Sequence, residues 1–190
     1  MKIRATLLAL LLVILAVSAM AAPNYIVNGG FETGDYTGWT NGGCTPYGVE
    51  PSGFGGWPSN SGNFFSYEGG VGCDHTLSQT FADVAGQGLT IAFYYGSDGG
   101  TPNDLNVYWN GTLIYSLVDE ASTQPAYNPY SFNVSATGSD TLTIGIRNDP
   151  SWQALDDVSV TPTVPEPGTL VLLGSGLVGL AGVILRKIGI

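Results

Sequence analysis

Acidic side chains dominate the chemistry open to this chain. It carries 15 Asp and Glu, 5 Lys and Arg and a single histidine in 190 residues. Glu166 is the only acid outside residues 22–163, and Arg147 is the only Lys or Arg inside them. A surface so charged repels phosphate backbones, which excludes nucleic acid as a partner. It suits hard divalent cations, which take oxygen ligands. Catalysis finds little support. A lone His75 beside Asp74 reads as structural, no Gly-x-Ser-x-Gly elbow occurs between 22 and 163, and no lysine there offers Schiff-base chemistry. Carboxylates are numerous enough to form glycosidase-like pairs, but a domain of this size offers no large cleft. The chain is therefore read as a non-enzyme, with a small glycan hydrolase as the distant alternative.

The second usable chemistry is aromatic. An exposed ring lies well against the apolar face of a pyranose while nearby amides and carboxylates bond hydroxyls. Tyr47, Phe54 and Trp57 stand in the Gly/Pro/Ser-rich stretch from Gly42 to Gly62, and Trp109, Tyr127 and Tyr130 follow later. These six are the candidate sugar contacts, each of which has core packing as its alternative. Trp39 and Trp152 are expected to pack rather than bind.

A β-rich framework must hold these groups. From Pro23 to Thr161 the apolar pattern has period two and is broken by turns. Strands are expected at Tyr25–Val27, Asn63–Glu68, Thr76–Phe81, Leu89–Tyr95, Asp104–Trp109, Thr112–Leu117, Tyr130–Val134, Thr141–Arg147 and Leu155–Val160. Asn110-Gly111 between two apolar arms predicts a type I′ hairpin. So many short strands indicate a single all-β sandwich over residues 22–162. Its expected core is Phe31, Leu77, Phe81, Ile91, Phe93, Leu105, Val107, Leu113, Phe132, Leu142, Ile144, Ile146, Val158 and Val160. A register error of one residue exchanges the two faces. The stretch Gly42–Gly62 shows no clear strand and reads as a long loop.

Both ends of the chain read as addresses. Lys2 and Arg4, the apolar run Ala5–Val17 and Ala19-Met20-Ala21 form a secretory signal peptide over residues 1–21. The domain therefore lies outside the cytoplasm. There Cys44 and Cys73 are expected to form a disulfide, with free thiols or metal ligation as the alternatives. At the other end Thr169–Leu185 is uncharged. At about 1.5 Å per residue a helix of it reaches roughly 25 Å, enough for a transmembrane helix at the lower limit. Arg186 and Lys187 follow it and would stay on the cytoplasmic side of the inner membrane.

Two resemblances add to this. Val164-Pro165-Glu166-Pro167, the apolar run and Arg186-Lys187 resemble the PEP-CTERM sorting signal over residues 163–187. That resemblance implies processing by an exosortase and delivery to the cell surface or extracellular matrix. The segments "YIVNGGFETGDYTGWT" and "WQALDDVSVTP" resemble the two ends of galactose-binding-like jelly rolls, which include many carbohydrate-binding modules. The second resemblance implies a jelly-roll sandwich. It also implies a structural calcium held by Glu32, by Asp156 or Asp157, and by backbone carbonyls near Gly34. Surface acids or turn caps are the alternative reading of those carboxylates. The combined expectation is an exported protein whose sandwich binds extracellular polysaccharide, with a purely structural matrix protein as the rival.

Overall fold

The computed structural model describes residues 22–163, together with Gly174 and Gly176. The expected signal peptide, the transmembrane helix at 169–185, and Val164 to Lys187 of the sorting motif lie outside the described residues, apart from those two glycines. Among the described residues no helix is long and apolar enough to cross a membrane.

Among the described residues ten strands form the fold: β1 (Thr40–Gly43), β2 (Tyr47–Pro51), β3 (Phe64–Glu68), β4 (His75–Ala82), β5 (Gly88–Ser97), β6 (Asn103–Trp109), β7 (Thr112–Val118), β8 (Asn128–Ser135), β9 (Ser139–Asn148) and β10 (Gln153–Pro162). They make two five-stranded sheets, β1-β4-β9-β6-β7 and β2-β3-β10-β5-β8, in which neighbouring strands are antiparallel. The result is an all-β sandwich, as the alternation requires. Leu142, Ile144 and Ile146 of β9 face Leu89, Ile91 and Phe93 of β5 across the main core. The intervening Thr141, Thr143 and Arg147 of β9 remain partly accessible on the outer face of the first sheet. Burial of each large apolar side chain in such a core contributes roughly 1.5–3 kcal/mol.

The turn between β6 and β7 is the predicted one. Asn110 and Gly111 have φ of 51° and 77°, the pair of positive values that a type I′ turn needs. Asn110 is also tied down on both sides: its amide nitrogen donates to Asp140 and its oxygen accepts from Thr141 N at 2.8 Å.

Three expectations are corrected. Tyr25–Val27 is not a strand. Tyr25 N bonds Val160 O at 2.9 Å, but the Gln79 side chain then takes both the N–H and the C=O of Val27, at 3.0 and 2.7 Å. A side-chain amide thus replaces the ladder. The stretch Gly42–Gly62 is not all loop, since it holds the end of β1 and the whole of β2. Leu113 is not core but 50% exposed. The β6–β7 register shifts between Val107 and Tyr108, so Leu113 pairs with the outward-facing Tyr108, and the extra residue turns its side chain out.

The disulfide joins Cys44, between β1 and β2, to Cys73, between β3 and β4, with Cα atoms 5.5 Å apart. β1 edges one sheet and β2 the other, so the bond fastens the sandwich along one flank. Its 29-residue separation corresponds to about 3–4 kcal/mol of stabilisation on the chain-entropy view.

Candidate functional site

The two outer faces differ in how they are covered. Across β4, β9 and the middle of β6 in the first sheet, hydroxyls, amides and acids cover much of the outward surface. Thr80 and Thr141 share a hydroxyl hydrogen bond of 2.8 Å. Asn106 donates to Asp104 at 2.9 Å and to Asp74 at 3.1 Å, and accepts from Ser116 at 2.7 Å. Burial, and then the charge of Asp74, pushes the Asp104 carboxyl up to about 6. Gly145 makes room for this group, since a Cβ there would lie 2.5 Å from Asp74 Oδ2. Arg147, the one Lys or Arg among the described residues, is occupied by Asp149 at 2.5 and 3.0 Å.

The second sheet is covered by the β2–β3 connection. A 3-10 turn, Phe54–Gly56, folds that segment back on itself, with Gly53 N bonding Trp57 O at 2.7 Å and Trp57 N bonding Phe54 O at 2.9 Å. The turn drives Trp57 onto the outer face beside Gly96, where any Cβ would sit 2.5 Å from the indole. Trp57, Phe65, Tyr67 and Ala154 form a second apolar cluster there, with Trp57 at 0% exposure. The segment after β7 pins the cover: Gln124 donates to Gly55 O and Tyr127 to Pro58 O, each at 2.9 Å. Burial holds the Tyr127 hydroxyl well above its ordinary range.

Aromatic rings crop out at the margin of this cover. Trp152 stacks on Tyr67 with centroids 4.3 Å apart and planes 6° apart, and Phe54 meets Tyr67 edge-on at 5.2 Å. Phe54 is 45% exposed and Trp152 is partly exposed. Tyr94 of β5, 36% exposed, points outward by alternation with the buried Phe93 and Tyr95. Asp98 fixes Trp152 in place by accepting from its backbone N at 2.9 Å and from the Ser151 hydroxyl. Phe54, Tyr67 and Trp152 thus form one platform of packed rings, of which Phe54 and Trp152 reach solvent while Tyr67 is buried beneath them.

The six candidate rings do not converge. Phe54 belongs to this platform. Trp57 is buried beneath the cover and cannot meet a ligand. Trp109 is also buried, in the main core, with its indole N–H on Ser135 O at 3.3 Å. Tyr127 is half-buried edge-on against Trp57. Tyr130 packs on Phe93 at 5.4 Å near the β7 edge. Tyr47 lies elsewhere, stacked on His75 at 3.6 Å. His75 is itself buried against Glu68, with Asn41 on its other nitrogen. Tyr36 bonds both Ser66 and Glu68 in the same network. Trp152 packs, as expected, against the second cluster, and it also keeps part of its surface open to solvent.

The candidate metal carboxylates lie near one another beside the cover, each turned to a different stretch of backbone. A bulge in β10 between Asp156 and Ser159, with Asp157 at φ 53°, puts two adjacent acids on one spot. Asp157 and Asp156 oxygens and the Glu32 Cγ all lie within 3.9 Å of a Cβ position at Gly30. The carboxylates hold the backbone that follows the cover. Asp156 accepts from Asn60 N at 2.8 Å and Ser61 N at 3.3 Å, and Asp157 accepts from the Asn60 amide and the Ser61 hydroxyl. Glu32 accepts from Asn63 N at 2.8 Å and Phe64 N at 3.0 Å, which holds its carboxyl below the usual range. Gly62 is required beside it, because its φ is 60° and a Cβ would lie 2.3 Å from Glu32 Oε1. Burial, then the charge of Asp157, pushes the Asp156 carboxyl up to about 7. Gly34 has φ 73° and sits against the Phe64 ring, with its N–H on Phe31 O. Among the described residues no group of three or more His, Cys, Asp or Glu is arranged to hold a metal ion.

Known proteins resemble this chain in two separate ways. The PEP-CTERM protein-sorting motif matches residues 163–187. The structure of TmCBM61 in complex with β-1,4-galactotriose superposes with a TM-score of 0.60 at 21% identity, covering 75% of this chain and all of that one. The CBM22-1 xylan-binding domain from Paenibacillus barcinonensis Xyn10C gives 0.51 at 18% identity, covering 78% of this chain and all of that domain. In sequence, 114 residues are 32% identical to the multifunctional-autoprocessing repeats-in-toxin of Vibrio vulnificus. That match takes in 53% of this chain but spans 2% of the toxin. The chain thus joins two parts, a jelly-roll sandwich with the fold of carbohydrate-binding modules and, directly after it, a PEP-CTERM sorting motif that marks it for export.

Proposed function

We propose that the chain binds a neutral extracellular polysaccharide on the platform of Phe54, Tyr67 and Trp152, and that an exosortase processes its C-terminal motif on the way to the cell surface or matrix. One observation carries the binding reading: Phe54 and Trp152 reach solvent at the rim of the pinned cover, held edge-on and stacked on the buried Tyr67. Preset rings lose little freedom when a sugar docks. Charge supports a neutral ligand. Arg147 is paired with Asp149 and His75 is buried against Glu68, while acids dominate the surface, so a polyanionic glycan would be repelled. β-1,4-Galactan and xylan are therefore suitable first probes. Affinity electrophoresis of the full chain in non-ionic detergent tests this. Retardation by a neutral glycan that Trp152→Ala or Phe54→Ala removes, and Tyr47→Ala leaves, supports the reading. Equal retardation of all four proteins refutes it.

Calcium is the second part of the proposal, at Glu32, Asp156 and Asp157 with carbonyls near Gly34. Its support is the raised Asp156 carboxyl, which lacks a counter-charge beside Asp157. A divalent cation there would stand in for the proton and brace the segment 60–64. A thermal melt with calcium and with chelator checks this. A calcium-dependent rise in Tm that Glu32→Gln and Asp157→Asn leave intact would refute the assignment.

A further inference from the structure

One flank of the sandwich is free of charge. β7 reads "TLIYSLV" and β8 "NPYSFNVS", with no Asp, Glu, Lys or Arg in either. β7 edges the first sheet and β8 the second. They lie side by side, since Tyr115 meets Phe132 at 4.7 Å and Tyr130 at 5.7 Å. Leu113 and Val118 of β7 are 50% and 68% exposed. The opposite flank is protected differently. Its β1 is short and glycine-rich, and its β2 carries Glu50 and ends on Pro51. Charge, proline and short length are the usual defences of a sheet edge. β7 has only its bulge opposite Val107 and Tyr108, which leaves Tyr115–Val118 in regular register with Asp104–Val107.

We propose that this flank pairs with a second copy of the same chain, the regular part of β7 lying antiparallel to its counterpart so that two sheets become one. Charge selects the occupant and the direction. Copies of so acidic a protein repel each other over most of their surface and can meet closely only where charge is missing. Asp119 and Glu120 follow β7 at one end only. A parallel in-register pair would set these acids side by side, about 4.8 Å apart. Antiparallel pairing centred between Ser116 and Leu117 sets each Asp119 opposite its partner's Ile114. The two Asp119 residues are then about 17 Å apart at roughly 3.4 Å per residue, about twice the screening length at physiological salt. A two-fold arrangement is also the commonest closed symmetry. Each dimer would present two ring platforms, so it would hold two polysaccharide strands or one strand twice, and avidity would rise without a new sugar contact.

Sedimentation velocity of the full chain in non-ionic detergent, over a hundredfold range of concentration, tests the proposal. The expected result is a concentration-dependent dimer. Ser116→Glu with Val118→Glu, both at exposed positions, raises its dissociation constant by more than about tenfold. Val27→Glu with Val84→Glu adds the same charge at exposed sites outside the flank and leaves it nearly unchanged. A chain that stays monomeric throughout overturns the proposal. So does a dimer that survives the Ser116/Val118 pair, or one that both pairs dissociate equally.

Discussion

The two outer faces of the sandwich are built from opposite materials. The face of β4, β9 and β6 is bare sheet, and its threonines, Asn106 and acids satisfy one another laterally. The face of β3, β10 and β5 lies under a folded segment that buries Trp57 and leaves Phe54 and Trp152 at the margin. A hydroxyl-lined sheet needs nothing above it. An apolar one must be roofed, and the rim of the roof is where rings meet solvent. The position of the candidate site thus follows from how the second sheet is covered, and four substitutions or conditions probe that difference.

Removing the keystone of the cover has the largest effect. Trp57→Ala empties a fully enclosed site and costs about 3–5 kcal/mol, read by denaturant unfolding, and it abolishes the proposed glycan retention together with the cover. Gly96→Ala comes next. Its methyl meets both the Trp57 ring and Ala126 O, and overpacking of this kind costs about 1–3 kcal/mol. If Gly96→Ala is neutral, the cover is not seated as described.

Protonation is the third probe. Asp156 and Asp104 have folded pKa values raised to about 7 and about 6, so the folded state holds protons that the unfolded state releases. Their contribution is fully present below the unfolded value near 4 and is lost as pH rises through 6 to 7. Tm should therefore rise as pH falls from about 8 to about 5. Below about 4 the sign reverses, because Glu32 and Asp149 are held low and Asp140 is held at about 2. Asp156→Asn flattens the upper slope, by about 1–3 kcal/mol across that range. Saturating calcium also flattens it if the cation takes the proton's place. An unchanged slope in the variant places the titration elsewhere. The smallest effect belongs to the bare face: Thr143→Ala shifts stability by less than about 0.5 kcal/mol. A larger loss would mean that this face also carries structural weight and that the contrast between the faces is weaker than drawn.

The sequence revealed the strands more readily than the site. Alternation in "TLTIGIR" and the Asn110-Gly111 turn located the central strands because their signals are local. β1 and β2 escaped because "TNGG" and "YGVEP" are poor in apolar residues and take their pairing from β4 and β3. Leu113 was misassigned because one bulge residue inverts the faces, and period-two reasoning contains no bulges. Trp57, expected among the sugar contacts, is buried for a related reason. Whether a ring in a glycine-rich segment folds inward depends on a Gly96 some forty residues away, which no local pattern reveals. The acids were singled out through resemblance. That they grip the backbone of residues 60–64 followed only from the register of β10.

The central place of β10 bears on how the molecule withstands force. Trp152 immediately precedes this strand, and the chain leaves the described sandwich at its far end. Tension between a bound polymer and an anchored tail would run lengthwise along β10, whose pairs with β5 extend from Gln153↔Ser97 to Pro162↔Leu89. Pulled in that direction the pairs are sheared together rather than peeled one by one, so the strand joining the proposed platform to the C-terminal tail is the one least easily withdrawn.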